Sequence, residues 1–236
     1  MRITERYRSI RDVPGTLPVF PLRGAIVLPR AALPLNIFEP RYLEMFNDML
    51  AGDRLVVIVQ PARAPGPTND NEEEAETESP QSASVQLRSV GCIGRLSAFQ
   101  ELEDGRMVVS LTGVARCRLL EETVTRKPYR VFRIAMDKFA EDLIAGAGEQ
   151  LVPRDALLEA LKRFLAARNL KADWQSINRS GTEALVNSLS LMSPYGPEEK
   201  QALLEADSLK ARAEMLIALA EMEIAAQGGT PGSTLQ

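Results

Sequence analysis

The side chains that most often perform catalysis are scarce in this sequence. It contains no histidine, which removes the commonest general base and metal ligand and excludes Ser-His-Asp and Cys-His nucleophile systems. Neither GxxxxGKS nor GxxxxGKT occurs, so there is no Walker-type phosphate cradle. A dyad of Ser208 and Lys210 would require a strained nucleophile turn and a desolvated lysine, and the sequence indicates neither. We therefore predict a protein that is not an enzyme and that uses no cofactor or metal.

The two cysteines, Cys92 and Cys117, do not have the CxxC spacing that is typical of zinc and redox sites. Each lies in an apolar stretch that predicts a β-strand. Cysteine is also among the residue types that are most often buried. The sequence therefore predicts two buried, chemically inert thiols.

The composition is that of an ordinary globular protein, with 45% hydrophobic and 25% charged residues in a chain of 236 residues. Six acidic residues and no basic residue lie between Thr68 and Pro80; without them the formal net charge of −4 would be +2. The first fifteen residues are too polar for a signal peptide, and no apolar run approaches the ~18 residues that span a bilayer. We expect a soluble, cytoplasmic protein that does not enter a membrane.

Residues 17–50 form the stretch around which the rest of the chain is organised. Four prolines interrupt it, and because proline cannot donate a ladder hydrogen bond, they belong at strand starts, edges or bulges. The pattern predicts short strands at residues 19–20, 25–28 and 33–38. Pro40 then opens a helix, whose buried face is predicted from the three- and four-residue spacing of Leu43, Phe46 and Leu50.

Later segments divide the chain into a β part and an α part. The Asp104-Gly105 dipeptide between two apolar runs predicts a hairpin, with strands at residues 84–100 and 106–113. Further strands are predicted at residues 53–60, 115–121 and 129–139, and the Pro-, Glu- and Ser-rich residues 63–82 predict a disordered acidic loop. From Pro153 onward the apolar period changes to about 3.6, which predicts helices. The fold class is therefore α+β.

Three stretches in this order resemble the amino-terminal domain of ATP-dependent Lon proteases. They are LPVFPLRGAIVLPRAALPLNIFEPRYLEMF, GCIGRLSAFQELEDGRMVVSLTGVARCRLLEE and PYGPEEKQALLEADSLKARAEMLIALAEMEI. The resemblance covers residues 15–226 and implies a PUA-like β pseudo-barrel subdomain followed by an all-α helical subdomain. The boundaries that we expect are a charged lead-in at 1–14, the β subdomain at 15–140, the helical subdomain at 141–227 and a polar tail at 228–236.

The resemblance also implies a non-catalytic module that recognises protein or unfolded polypeptide, as an adaptor or regulator beside a protease or chaperone. A protease label would be inherited from the family. Recognition requires an exposed apolar patch or an unpaired strand edge. At the turn into the first helix, Tyr42 is the predicted surface anchor and Phe38 is assigned to the core, while Arg41 pairs with Glu39 or Glu44. The candidate polypeptide-binding residues are Phe38, Glu39, Arg41, Tyr42, Met215 and Met222.

The methionines form a second candidate patch on the last helix, and ordinary interhelical packing explains them equally well. RNA binding is the alternative function, because residues 83–139 carry ten basic and six acidic residues. Against it, the arginines alternate with apolar residues as outward-facing strand residues do. The candidate RNA contacts are Arg88, Arg95, Arg116, Arg118, Arg130 and Arg133.

Overall fold

The computed structural model describes residues 6–62 and 85–228 of the chain. The predicted acidic loop at residues 63–82 and residues 229–236 of the predicted tail lie outside this range. Part of the charged lead-in is described, and its residues Tyr7 and Val13 are both buried.

The six described strands form one sheet in the order β2-β5-β4-β3-β1-β6. They are β1 (Thr16–Pro21), β2 (Ala32–Ile37), β3 (Leu55–Val59), β4 (Val90–Glu101), β5 (Met107–Glu122) and β6 (Val131–Ala135). The first half of the long strand β5 pairs with β2, and its second half pairs with β6. Strands β5, β4, β3, β1 and β6 therefore close into a ring, as the pseudo-barrel prediction requires, and β2 remains at the edge. Among these six strands, β1 and β3 form the one parallel pair.

Strand β5 differs from the prediction, because the two strands expected on either side of Gly113 are one continuous strand. A Cβ at Gly113 would lie 2.0 Å from the carbonyl oxygen of Leu28, so glycine allows a close approach of two backbones here. Residues 25–28, predicted as a strand, instead form an irregular segment whose side chains are largely buried. The predicted strand at 129–139 is likewise shorter, since a 3₁₀ helix begins at Asp137.

The described part of the chain contains six α-helices. They are α1 (Pro40–Ala51), α2 (Arg154–Ala167), α3 (Trp174–Arg179), α4 (Thr182–Met192), α5 (Pro197–Glu205) and α6 (Leu209–Gly228). Helix α1 begins at Pro40, as predicted. Its buried face was predicted one position away from the observed one, which consists of Tyr42, Met45, Phe46 and Met49.

Two apolar clusters stabilise this arrangement. One lies on the face shared by all five ring strands and includes Val57, Ile93, Cys117 and Ile134. The other lies on the opposite face and continues through α1 into the helices after β6. Cys92 belongs to this second cluster, and both cysteines are free and buried, as predicted.

Buried polar contacts also join the helices to the ring. The guanidinium of Arg116 on β5 pairs with Asp142 at 2.8 Å and also donates to the carbonyl oxygens of Leu204 and Ala206. The side-chain amide of Asn187 on α4 donates to the carbonyl oxygen of Pro29 at 3.0 Å. Because unpaired polar groups are costly inside a protein, these contacts specify how the helical segment sits on the ring.

Candidate polypeptide-binding groove

A groove with a volume of ≈ 560 Å³ opens beside the first helical turn of α1. Its walls come from the end of β1, the end of the edge strand β2, the start of α1 and the segment that joins β5 to β6. This volume lies within the usual range for binding sites. The residues that line it include Phe20, Leu35, Phe38, Glu39, Arg41, Tyr42, Glu122, Pro128, Tyr129 and Arg130.

The floor of the groove is aromatic. The rings of Phe20 and Tyr42 are tilted by 51° with 4.3 Å between their centroids, and Phe46 meets the Phe20 ring edge-on at 6.0 Å. Tyr42 is only 7% exposed, and this burial raises the pKa of its hydroxyl. The prediction that Tyr42 is a free surface anchor was therefore wrong, because its ring belongs to the floor.

Phe38 stands at the mouth of the groove and is 64% exposed. Its assignment to the core was wrong. Ile37 immediately before it is buried, and successive side chains in an extended chain point to opposite sides. Because α1 begins two residues later, at Pro40, Phe38 lies in the short connection between β2 and α1 and faces away from the core.

The charges at the rim are paired with one another. Glu39 accepts a hydrogen bond from Nε of Arg41 at 2.9 Å, as the sequence suggested, and the Arg41 guanidinium lies 4.6 Å from the centre of the Tyr42 ring. On the opposite side, Arg130 donates two hydrogen bonds to Glu122 at 2.8 and 2.7 Å. The hydrogen bond from Arg130 lowers the pKa of Glu122. The groove is thus apolar in its floor and close to neutral at its rim.

The two methionines lie elsewhere, on α6, and neither of them lines the groove. Met215 is half-buried and packs against the apolar cluster that joins α1 to the helices. Met222 is 68% exposed. Packing therefore accounts for Met215, and Met222 is free to contact another molecule.

The structure does not place the six candidate RNA contacts on one free cationic surface. Arg116 is only 5% exposed and pairs with Asp142, so the prediction that it lies on a phosphate-binding surface was wrong. Four of the others pair with carboxylates, as Arg88–Glu198, Arg118–Asp137, Arg130–Glu122 and Arg133–Glu121. Arg95 is half-buried. These pairs reduce the positive potential that a phosphate backbone would meet.

Several lining residues were not predicted from the sequence, among them Phe20, Leu35, Pro128 and Tyr129. Phe20 and Leu35 lie in segments that were predicted to be strands, and a strand pattern does not indicate that one end faces a groove. Pro128 and Tyr129 follow Lys127 in a segment whose sequence indicates a boundary between two strands. Their role depends on the closure of β6 onto β5, which brings distant parts of the chain together.

The described residues contain no helix that is long and apolar enough to cross a membrane. Within the same residues, no group of three or more cysteine, aspartate or glutamate side chains could hold a metal ion.

The ring of strands and the helices packed on it form an α+β domain, and this fold also occurs in proteins of known structure. Solved structures with this fold include a Lon N-terminal domain protein from Xanthomonas campestris, at 19% identity and a TM-score of 0.55 over 86% of this chain and 97% of that one. The N-terminal domain of the Mycobacterium avium complex Lon protease has a TM-score of 0.58 at 15% identity, over 87% of this chain and 98% of that one.

The sequence shows the family to which this chain belongs. Residues 16–221 match the ATP-dependent protease La (LON) substrate-binding domain, and the chain belongs to this family. Similar proteins include Lon protease 2 of Myxococcus xanthus, 26% identical over 88% of this chain, and Lon protease 2 of Sorangium cellulosum, 27% identical over 86% of it. The match covers 24% of each of these two proteins, so the chain spans about a quarter of the length of these curated relatives.

Proposed function

We propose that this domain recognises protein substrates by binding an extended polypeptide segment in the groove beside α1. The observation that carries this proposal is the combination of an aromatic floor formed by Phe20 and Tyr42 with the exposed ring of Phe38 at the mouth. The family to which the chain belongs is named for substrate binding, which supports the same function.

Each part of the groove has a physical role in this proposal. Exposed aromatic rings supply large contact areas at low entropic cost, so Phe38 would close over an apolar side chain of the bound segment. The paired charges of Glu39 and Arg41 would contribute hydrogen bonds to its backbone without selecting for a charged sequence. Because the rim is close to neutral, affinity would come mainly from apolar burial.

The domain acts, in this proposal, as a recognition module for a protease or a chaperone in the cytoplasm, as an adaptor or a regulator. The bond-breaking chemistry of the full-length Lon relatives is not assigned to these residues. Met222 on α6 would provide a second apolar contact for a long client, beside the half-buried Met215.

Two parallel titrations test the proposal against RNA binding. The purified chain is titrated into fluorescently labelled unfolded casein and, separately, into labelled mixed-sequence RNA, and anisotropy is followed at ~50 and ~200 mM salt. We expect casein binding that persists at the higher salt. RNA binding that collapses with salt, in the absence of casein binding, would contradict the proposal and indicate counterion release from arginines.

A further inference from the structure

The segment that joins β5 to β6, residues 123–130, forms one wall of the groove through Pro128 and Tyr129. It contains neither helix nor strand. Residues 123–128 are exposed, and Val124 is fully so. Apolar burial therefore contributes little to holding residues 123–128, and the half-buried ring of Tyr129 alone packs against the apolar cluster that contains Phe20 and Tyr42. The position of the exposed part depends on a few specific contacts.

The two ends of the segment are fixed by the strands. The backbone N–H of Thr123 donates to the carbonyl oxygen of Val131 at 2.8 Å, and Arg130 is paired with Glu122. These contacts fix where the chain leaves β5 and where it enters β6. They leave the middle of the segment to be positioned by something else.

Asp48 on α1 holds the middle of the segment. One of its carboxylate oxygens, Oδ2, accepts a hydrogen bond from the hydroxyl of Tyr129 at 2.6 Å and lies 2.8 Å from Nζ of Lys127. Glu44, one turn earlier, lies 3.4 Å from the same Nζ. A single oxygen atom therefore contacts the residues on both sides of Pro128.

Helix α1 is a rigid support for this carboxylate. Met45 and Met49 lie close to Asp48 in the sequence of α1 and belong to its buried face, where they are 0% and 4% exposed. The hydrogen bonds from Lys127 and then from Tyr129 lower the pKa of Asp48, so the carboxylate remains charged over the neutral range. The Asp48 carboxylate is therefore held in place by α1, and the hydrogen bonds that it accepts are strengthened by its charge.

We propose that Asp48 is a positioning residue for the groove, which fixes residues 123–130 as its wall and thereby sets its affinity for polypeptide. This role rests on the proposed function and deepens it, since Asp48 does not line the groove itself. It acts through Tyr129 and Pro128, which do.

The variant Asp48→Asn removes the charge and keeps the shape of the side chain. Asp53→Asn is the matched control, because Asp53 is an exposed carboxylate just beyond the end of α1. Two quantities are measured on the full chain: the Kd for labelled casein, and the rate of tryptic cleavage after the exposed Arg126, identified by fragment mass. For Asp48→Asn we expect a Kd at least about fivefold higher and faster cleavage, and for the control neither change.

Two further variants separate positioning from a general loss of structure. Tyr129→Phe removes the hydroxyl that donates to the Asp48 carboxylate. Because Asp48→Asn weakens this same contact, the double variant Asp48→Asn/Tyr129→Phe should lose less affinity for casein than the sum of the two single losses. Asp48→Glu keeps the carboxylate and should bring both the Kd and the cleavage rate back towards those of the unaltered protein.

The outcomes distinguish this inference from the proposed function. If the unaltered protein does not bind casein, the proposed function is wrong and the positioning role falls with it. If the unaltered protein binds and Asp48→Asn binds equally well, the proposed function stands and the role of Asp48 is overturned, whatever the cleavage rate. Additive losses in the double variant would also overturn it.

Discussion

The ring of Tyr42 packs against the ring of Phe20, with 4.3 Å between the two centroids, so the floor of the groove is also part of the hydrophobic core. Phe20 and Tyr42 belong to the same apolar cluster as the buried residues of the helices. In the proposed function, binding and folding are therefore coupled at the floor of the groove. They are separable at its mouth, where Phe38 is exposed.

Replacement of Tyr42 should reveal this coupling. Because Tyr42→Ala removes a buried ring, it should lower the free energy of unfolding by about 3 kcal/mol. Tyr42→Phe retains the ring and should change it by less than ~0.5 kcal/mol. Urea denaturation followed by Trp174 fluorescence measures both. Equal stability of Tyr42→Ala and the unaltered protein would mean that the ring is not packed as described.

The buried ion pair between Arg116 and Asp142 should be far more important for stability than its exposed neighbour. The two side chains are 6% and 11% exposed, and removal of one partner leaves the other as an uncompensated buried charge. Asp142→Asn should therefore cost about 3 kcal/mol in urea denaturation. Asp137→Asn breaks the exposed pair with Arg118 and should cost less than ~0.5 kcal/mol. Similar losses for the two variants would contradict this account.

The two thiols should be unreactive in the folded protein. Burial raises the pKa of both Cys92 and Cys117 above the ordinary value for a thiol, so neither forms the reactive thiolate at pH 8. Titration with Ellman's reagent should detect no thiol in native buffer and both thiols in denaturant. A rapid reaction of either cysteine under native conditions would show that its strand is open to solvent.

Features with a local signal were predictable from the sequence. Asp104-Gly105 specified the turn between β4 and β5, and Gly105 has the positive φ of +83° that such a turn uses. Pro40 specified the start of α1. Asp173 belongs to a residue type that is favoured directly before a helix, and its carboxylate accepts hydrogen bonds from the backbone N–H groups of Gln175 and Ser176.

The site was harder to predict because it depends on which face of α1 meets the ring. The stripe Leu43–Phe46–Leu50 and the observed stripe with Tyr42 and Met49 both contain Phe46 and share a helical period. Periodicity alone could not choose between them. The choice placed Tyr42 in the floor, and the alternation of side chains after the buried Ile37 left Phe38 exposed. Both outcomes are the opposite of what the sequence predicted for these two residues. The closure of β6 onto β5, which supplies Tyr129, is likewise a non-local event.

Casein binding by Phe38→Ala, compared with Phe99→Ala, tests whether the groove beside α1 binds polypeptide. Both residues are exposed phenylalanines, at 64% and 46%, and only Phe38 lines the groove. Each variant should retain its stability to within ~0.5 kcal/mol in urea denaturation, so a change in affinity reports on contact with the polypeptide.

We predict that Phe38→Ala raises the Kd for labelled casein about tenfold, equivalent to ~1.4 kcal/mol, as expected for an aromatic side chain that becomes buried against the bound polypeptide. Phe99→Ala should leave the Kd unchanged. If both variants bind as tightly as the unaltered protein, or if Phe99→Ala is the weaker binder, the groove beside α1 is not the site of polypeptide recognition.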